Sequence, residues 1–421
     1  MTQPWITRRK ANDIIFDVNG KLPTISLYTG AGGMDYGFEA AGFETGVGLE
    51  LDQDAVETVR LNRSWPVICQ DIHKTSTVRI LEAAGLHRGD AALLIGGPPC
   101  QPFSKSGYWS RGDSRRLDDP RAKTLDAYMR VVREALPEVF VLENVHGIKY
   151  SGKEEGMLLL QRLVDEINAE HKTNYVLSWD VLNAADYGVP QLRNRFFMVG
   201  HRDGKRFTFP SPAYQSRTVC QETNCGTQPY VTAWDAIGDL CPDPAEDLRA
   251  RGRWADLLPS IPEGENYLWH TDRKGGLPLF GWRRRYWSFL LKLAKDRPSW
   301  TIQAQPGPAI GPFHWESRLL SIREMARLQT FPDNIRFVGS RNSLQRQIGN
   351  AVPSLLAEVL GREIRRQLFG APLKGELTLA ICPKRPIPEP EPVESVAEKY
   401  LNLVGEHVAH PGTGKGPNGT R

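Results

Sequence analysis

From Leu22 to about Gly200 the chain repeats one rhythm: a short run of apolar, β-branched residues, then a stretch whose apolar positions recur at helical spacing. That alternation constrains the fold strongly. Parallel neighbours need a crossover that carries the chain back to the same edge of the sheet, and a helix is the usual one. Strands are predicted at Pro23–Tyr28, Thr45–Glu50, Val67–Cys69, Ala91–Ile95, Glu138–Leu142, Tyr175–Leu182 and Arg195–Val199, with helices at Gly33–Ala41, Gln53–Leu61, Thr75–Ala84, Lys123–Leu136 and Glu155–Glu170. The fold class is therefore α/β, built on an open, mostly parallel Rossmann-like sheet.

After His201 the rhythm gives way to a segment rich in Pro, Gly and Trp, and helical spacing returns only at Ser321–Thr330 and Pro353–Leu368. The late helices are expected to rejoin the first domain. This gives an N-terminal extension (1–21), a catalytic and cofactor-binding domain (22–205 and 316–370) and an inserted, smaller irregular domain (206–315). Beyond Gly370, PKRPIPEPEPVES and HPGTGKGPNGTR read as a mobile tail, 371–421.

Composition excludes several classes of function. No apolar run is long enough to cross a bilayer, and MTQPWITRRK has no apolar signal core, so a cytoplasmic protein without membrane association is expected. Six scattered cysteines do not form a disulfide framework, which suits a reducing compartment. The net charge of +4 is modest, but Thr271–Trp300 carries eight basic residues against two acidic ones, interleaved with Phe280, Trp282, Tyr286, Trp287 and Phe289. Basic and aromatic residues together suit phosphate neutralisation with stacking, although a plain solvated face would look the same. Cys220, Cys225 and Cys241 hint at zinc, but the spacing lacks a C-x2-C pair and a fourth ligand, so no metal is expected.

Two features point to chemistry. SLYTGAGGMDYGFEAAGF (Ser26–Phe43) is strand, glycine turn and helix, an arrangement that turns backbone N–H groups toward a ligand. Its G-x-G-G spacing at Gly30, Gly32 and Gly33 departs from the G-x-G-x-x-G of dinucleotide binders. It suits a cofactor with a small charged head such as adenosylmethionine. Glu50 ends the second strand, where a carboxylate can bridge ribose hydroxyls, and Asp71 ends the third, within reach of an adenine amino group. The fourth strand runs straight into Gly-Gly-Pro-Pro-Cys100, which presents a thiol on a braced turn at the carboxyl edge of the sheet. A lone cysteine is more often buried and inert. Here the polar residues that follow, and the basic stretch Ser104–Arg121, argue for exposure and for a loop able to close over phosphates.

With these motifs in view, the chain resembles the cytosine-C5 DNA methyltransferase family. GAGG and GGPPCQPFS are followed in order by ENVHG (Glu143–Gly147), QLRNR (Gln191–Arg195), RLLSIREMARLQTFPD (Arg318–Asp333) and QIGNAVP (Gln347–Pro353). The resemblance implies a class I methyltransferase sheet, S-adenosyl-L-methionine as cofactor and double-stranded DNA as partner. It implies Cys100 as nucleophile and Glu143 as the group that steadies the ring at N3. Arg195 would meet the cytosine O2, and Arg193 would support the site. Cofactor contacts would come from Tyr28, Gly30, Ala31, Gly33, Glu50, Leu51, Asp71, Ile72, Pro99 and Asn350, and DNA contacts from Gln101, Ser104, Arg121, Arg283, Arg284 and Arg285.

The target cytosine would have to leave the stack to reach this chemistry, and the segment 206–315 would correspond to the family's target-recognition region. The expected enzyme is a monomer. A cognate restriction endonuclease acting on the same site is the candidate companion, with no stable complex between them. The nearest alternative is a tRNA cytosine-C5 methyltransferase on the same scaffold; a non-catalytic DNA-binding protein and a nicotinamide dehydrogenase fit the motifs less well.

Overall fold

The computed structural model describes residues 22–99, 123–145, 155–223, 226–283, 286–384 and 386–408. Its centre is a seven-stranded sheet. In chain order the first domain contributes β1 (Leu22–Leu27), α1 (Gly33–Ala40), β2 (Phe43–Glu50), α2 (Gln53–Asn62), β3 (Val67–Cys69), α3 (Thr77–Ala84), β4 (Leu93–Gly96), α4 (Lys123–Ala135), β5 (Val139–Val145), α5 (Glu155–His171), β6 (Val176–Asn183), β7 (Gln191–Leu192) and β8 (Asn194–His201). The sheet order is β3-β2-β1-β4-β5-β8-β6, with only β8 running against its neighbours. β1 and β4 are adjacent although the chain leaves β1 toward β2, so the winding reverses at this point, and the carboxyl ends of β1 and β4 frame a crevice.

Alternation along the strands feeds two cores. Leu94, Phe140, Leu142, Phe196 and Met198 face one layer with α3, α4 and α5, while Leu93, Ile95, Val139, Val141, Phe197 and Val199 face the other with α1 and a late helix. Near-continuous apolar runs are what strands covered on both faces require.

The late elements are α6 (Arg217–Thr223), α7 (Ala233–Ile237), α8 (Ile322–Leu328), α9 (Arg341–Asn350) and α10 (Ser354–Gln367). Ser321 and Glu324 form a reciprocal capping box that starts α8. α9 is absent from the sequence prediction because RNSLQRQIGN shows too few apolar positions to mark a stripe. Its start is set by the Ser340 cap, and Gly349 and Asn350 are its last residues. α10 packs on α1 so closely that a Cβ on Gly37 would lie 2.2 Å from the Ser354 carbonyl oxygen. The glycine turn after β1 is thereby fixed against the chain's late part.

The segment 206–315 is largely irregular, with the small strands β9 (Tyr214–Gln215), β10 (Gln228–Pro229) and β11 (Ser299–Trp300), the last paired to β7. It holds a core of its own around Leu257, Leu258, Ile261, Tyr267, Leu279, Leu290 and Phe313.

The expectation of a free tail from Gly370 onward is corrected for 371–384 and 386–408. This stretch runs from the first domain onto the second. The buried carboxylate of Glu358 accepts from the Thr378 and Leu379 amides at 2.7 and 2.8 Å. Glu391 pairs with Lys295 at 2.7 Å, and Tyr400 enters the second core. Proline-rich composition signalled weak burial, but extended chain has few amides to satisfy, and buried carboxylates satisfy them. Residues 409–421 lie outside the described residues.

Gly37→Ala is expected to lower unfolding free energy by about 1–3 kcal/mol, since backbone on both helices must separate. Urea denaturation of the two proteins at equal pH measures it, and an unchanged midpoint would mean that α1 and α10 are not in rigid contact.

Candidate active site

The carboxyl ends of β1, β2, β4 and β5, with the end of α9, enclose one cavity of about 380 Å³. Tyr28, Gly30, Ala31, Gly33, Glu50, Pro99, Glu143, Arg195 and Asn350 all line it, although they come from separate stretches of chain. At one side Gly30 turns with φ +55°, a conformation available to glycine, and its amide donates to Glu50 at 2.8 Å. The other oxygen of Glu50 accepts from the Leu51 and Asp52 amides, each at 2.8 Å. Three backbone donors thus fix this carboxylate at the cavity wall. Asp52 caps α2 and meets Arg346 across the rim at 2.5 Å.

At the opposite side Glu143 and Arg195 face each other across adjacent antiparallel strands, with Nε of Arg195 2.9 Å from a Glu143 oxygen. Burial pushes the Glu143 carboxyl up from its ordinary value, against the opposing pull of Arg195 and Arg193. A Cβ on Gly97 would meet the second Glu143 oxygen at 2.8 Å. Glycine there lets the carboxyl lie directly beside the turn that leads to residue 100. Asn144 donates to the Pro98 carbonyl at 3.1 Å, and the Thr124 hydroxyl to that of Pro99 at 3.1 Å. The turn is braced from β5 and α4 as well as by its prolines.

Arg193 does not share a face with Arg195. β7 and β8 are separate strands with the break at Arg193, and its fully buried side chain is not among those that line the cavity. It donates to the carbonyls of Gly349 at 2.7 Å and Ala351 at 2.9 Å, on either side of Asn350. Gln191 donates to Gln329 at 3.1 Å, and Gln329 to the Ile348 carbonyl at 2.7 Å. Arg193 and Gln329 hold the cavity's late wall through the backbone oxygens of residues 348, 349 and 351.

Residues 22–366 match the model of the C-5 cytosine-specific DNA methylase family. The type II methyltransferase M.SacI of Streptomyces achromogenes is 43% identical over 376 residues, covering 83% of this chain and 94% of that protein. M1.HphI of Haemophilus parahaemolyticus, also named a type II methyltransferase, is 33% identical over 82% of this chain and 86% of its own length. The chain belongs to the C-5 cytosine-specific DNA methylase family. Among solved structures, the S. pombe Dnmt2 methyltransferase matches with a TM-score of 0.53 at 18% identity, covering 83% of this chain and 99% of that one, a likeness of fold.

In this DNA cytosine-5-methyltransferase three of the expected cofactor residues, Leu51, Asp71 and Ile72, are not among those that line the cavity. Leu51 is exposed and does not line the cavity; Ile72 is buried in the core beneath it. Asp71 accepts from the His73 amide at 2.9 Å and caps a short 3-10 turn. Cys100, Gln101, Ser104, Arg121, Arg284 and Arg285 lie outside the described residues, as does Cys225. The basic stretch of the methylase is only partly a surface. Lys292 and Lys295 are buried, Lys295 between Glu263 and Glu391 at 3.0 and 2.7 Å, and Phe280 and Phe289 pack in the second core. Lys295, counted among the cations that could meet phosphate, is there the internal partner of the buried Glu263 carboxylate.

Sequence reasoning passed over Asp52, Arg346, Asn144 and Gln329. Only Asp52 carried a usable signal, as a cap before a helical run. Arg193→Ala is expected to destabilise the methylase by about 2–4 kcal/mol, because two buried carbonyls lose a charged donor. Arg195→Ala costs less, since Glu143 can take a proton in compensation. Equal losses in urea titrations of both variants would contradict this division of roles.

Proposed function

We propose that the methylase transfers a methyl group from S-adenosylmethionine to carbon 5 of a cytosine in a short specific sequence of duplex DNA. It would do so through a covalent bond from Cys100 to carbon 6 of a base rotated out of the helix. What carries the reading is one cavity with a triply anchored carboxylate, Glu50, at one side and the buried Glu143–Arg195 pair at the other.

The cavity falls in the ~300–1,000 Å³ range of small-molecule sites. Its residues suit adenosylmethionine: Glu50 retains acceptor capacity for ribose hydroxyls, the turn at Gly30–Gly33 lets the ligand approach backbone, and Asn350 with Arg346 closes the far rim. When bound, the cofactor supplies an electrophilic methyl group. Cys100, as thiolate, would bond to carbon 6 while Glu143 donates a proton to N3, so the electrons displaced through the conjugated ring end in the new N3–H bond and carbon 5 becomes the nucleophilic carbon of a neutral enamine. Carbon 5, made nucleophilic in this way, would accept the methyl group that the cofactor supplies, the sulfonium sulfur keeping the bonding pair. Loss of the carbon 5 proton to water would restore the double bond as the carbon–sulfur bond breaks, Cys100 leaving as thiolate, and N3 would return its proton to Glu143. The raised proton affinity of Glu143 serves this exchange, and Arg195 holds the carboxyl in place and offers donors to the base O2.

Segment 206–315 would read the target in the major groove. The type II names of the relatives favour a role in restriction and modification.

Incubation with adenosylmethionine labelled in its methyl group should place label at carbon 5 of cytosine at one short motif in duplex DNA. Label found in tRNA alone would overturn the substrate. Cys100→Ala should abolish turnover while calorimetry shows unchanged cofactor binding and circular dichroism an unchanged fold. Residual turnover within about tenfold of the parent would exclude the covalent route.

A further inference from the structure

The docked C-terminal stretch reaches a part of the molecule that the catalytic cavity does not use. Tyr400 stacks on Trp254, with ring centroids 5.7 Å apart and planes at 19°, and donates to the Arg253 carbonyl at 2.7 Å. The Gly405 amide bonds to the Pro278 carbonyl at 3.2 Å. Thus anchored, the chain carries His407 to the edge of an open aromatic cleft of about 420 Å³, which also includes Arg283 and the exposed ring of Tyr286.

The polarity of His407 follows from its neighbours. Its Nε2 lies 2.8 Å from the Leu403 carbonyl and 3.1 Å from that of Pro278. Both are acceptors, so Nε2 carries the hydrogen and Nδ1 of the neutral ring is left as an acceptor. Arg283 offers a fork of donors. A donor fork and a single acceptor lining one cleft complement one base pair in particular: guanine presents O6 and N7 as acceptors in the major groove, and cytosine its N4 amino group as donor. The cleft also connects to the catalytic edge. Tyr286 adjoins Trp287, which packs edge-on against Trp300 at 5.2 Å. Trp300 pairs with Leu192 of β7, three residues before Arg195.

We propose that Arg283 and His407 together read one G·C pair of the duplex target, so that the C-terminal stretch is part of the specificity surface. This rests on the reading of the chain as a duplex DNA methylase whose 206–315 segment recognises sequence. Arg283 would take guanine and His407 its cytosine partner, with Tyr286 flanking the pair.

The test is methylation of a duplex library randomised around the target, read by bisulfite sequencing, with the parent protein, Arg283→Ala, His407→Ala and His407→Gln. Each alanine variant should lose about 10–100-fold of discrimination at the same single G·C position, with discrimination elsewhere and calorimetric cofactor binding unchanged. His407→Gln, which keeps an acceptor, should recover part of the loss. Relaxation at two different positions, at an A·T position, or at none would overturn the inference while leaving the methylase reading intact. A parent protein that methylates no duplex cytosine would overturn both.

Discussion

A single buried guanidinium decides whether this active site exists. Arg193 reaches from the break between β7 and β8 to two carbonyls on the far side of the chain's long insertion, 156 and 158 positions away in sequence. A charge with no water around it is costly unless acceptors surround it, and those of Arg193 are the carbonyls of Gly349 and Ala351, which flank Asn350, with the Ile302 carbonyl and the Gln191 side-chain oxygen, while its Nε has no partner among the described residues. The same requirement that keeps Arg193 tolerable therefore sets the position of Asn350. Gln191 and Gln329 extend the arrangement, so the end of α8, the end of α9 and β7 share one polar seam between the sheet and the late helices.

The division of labour between neighbouring arginines follows from where each sits relative to the sheet. Arg195 is inside β8, in register with Val145 and one position from the partner of Asn144, so its side chain meets Glu143 across the strand pair. Arg193 precedes the strand, and its side chain is free to leave the sheet plane. Glu143, held between a cation and apolar walls, keeps a proton more readily than an ordinary carboxylate, which is what a partner for a ring nitrogen needs.

Much of the fold was legible because both its layers are periodic. The first five strands run in the order and direction expected of crossover units, and the residues that line the cavity from β1, β2, β4 and β5 stand at strand ends, where sequence position and spatial position coincide. The seam was not legible. QLRNR looks like one alternating strand, and only the break at residue 193 parts the two arginines. α9 escaped notice because its helix is specified by a serine cap and by tertiary contact instead of an apolar stripe. The basic stretch misled for a related reason. Charge counts do not distinguish Lys295, enclosed by Glu263 and Glu391, from Arg297, which lies on the surface beside Asp296. The C-terminal stretch was misjudged from composition, since proline and glutamate describe its sequence but not the amides of 378, 379 and 391 that are bound by buried or half-buried carboxylates.

That stretch also fixes an order of events in the life of the molecule. The core around Trp254 and Phe289 receives one of its central rings, Tyr400, only after the sheet and the segment 206–315 have both been made. While translation is in progress, the first half of the sheet can close and its glycine turn can form, yet the second core still lacks a wall. An emerging chain therefore acquires the sheet and its glycine turn long before it completes the core around Trp254, and a protein halted before Tyr400 would leave aromatic surface uncovered.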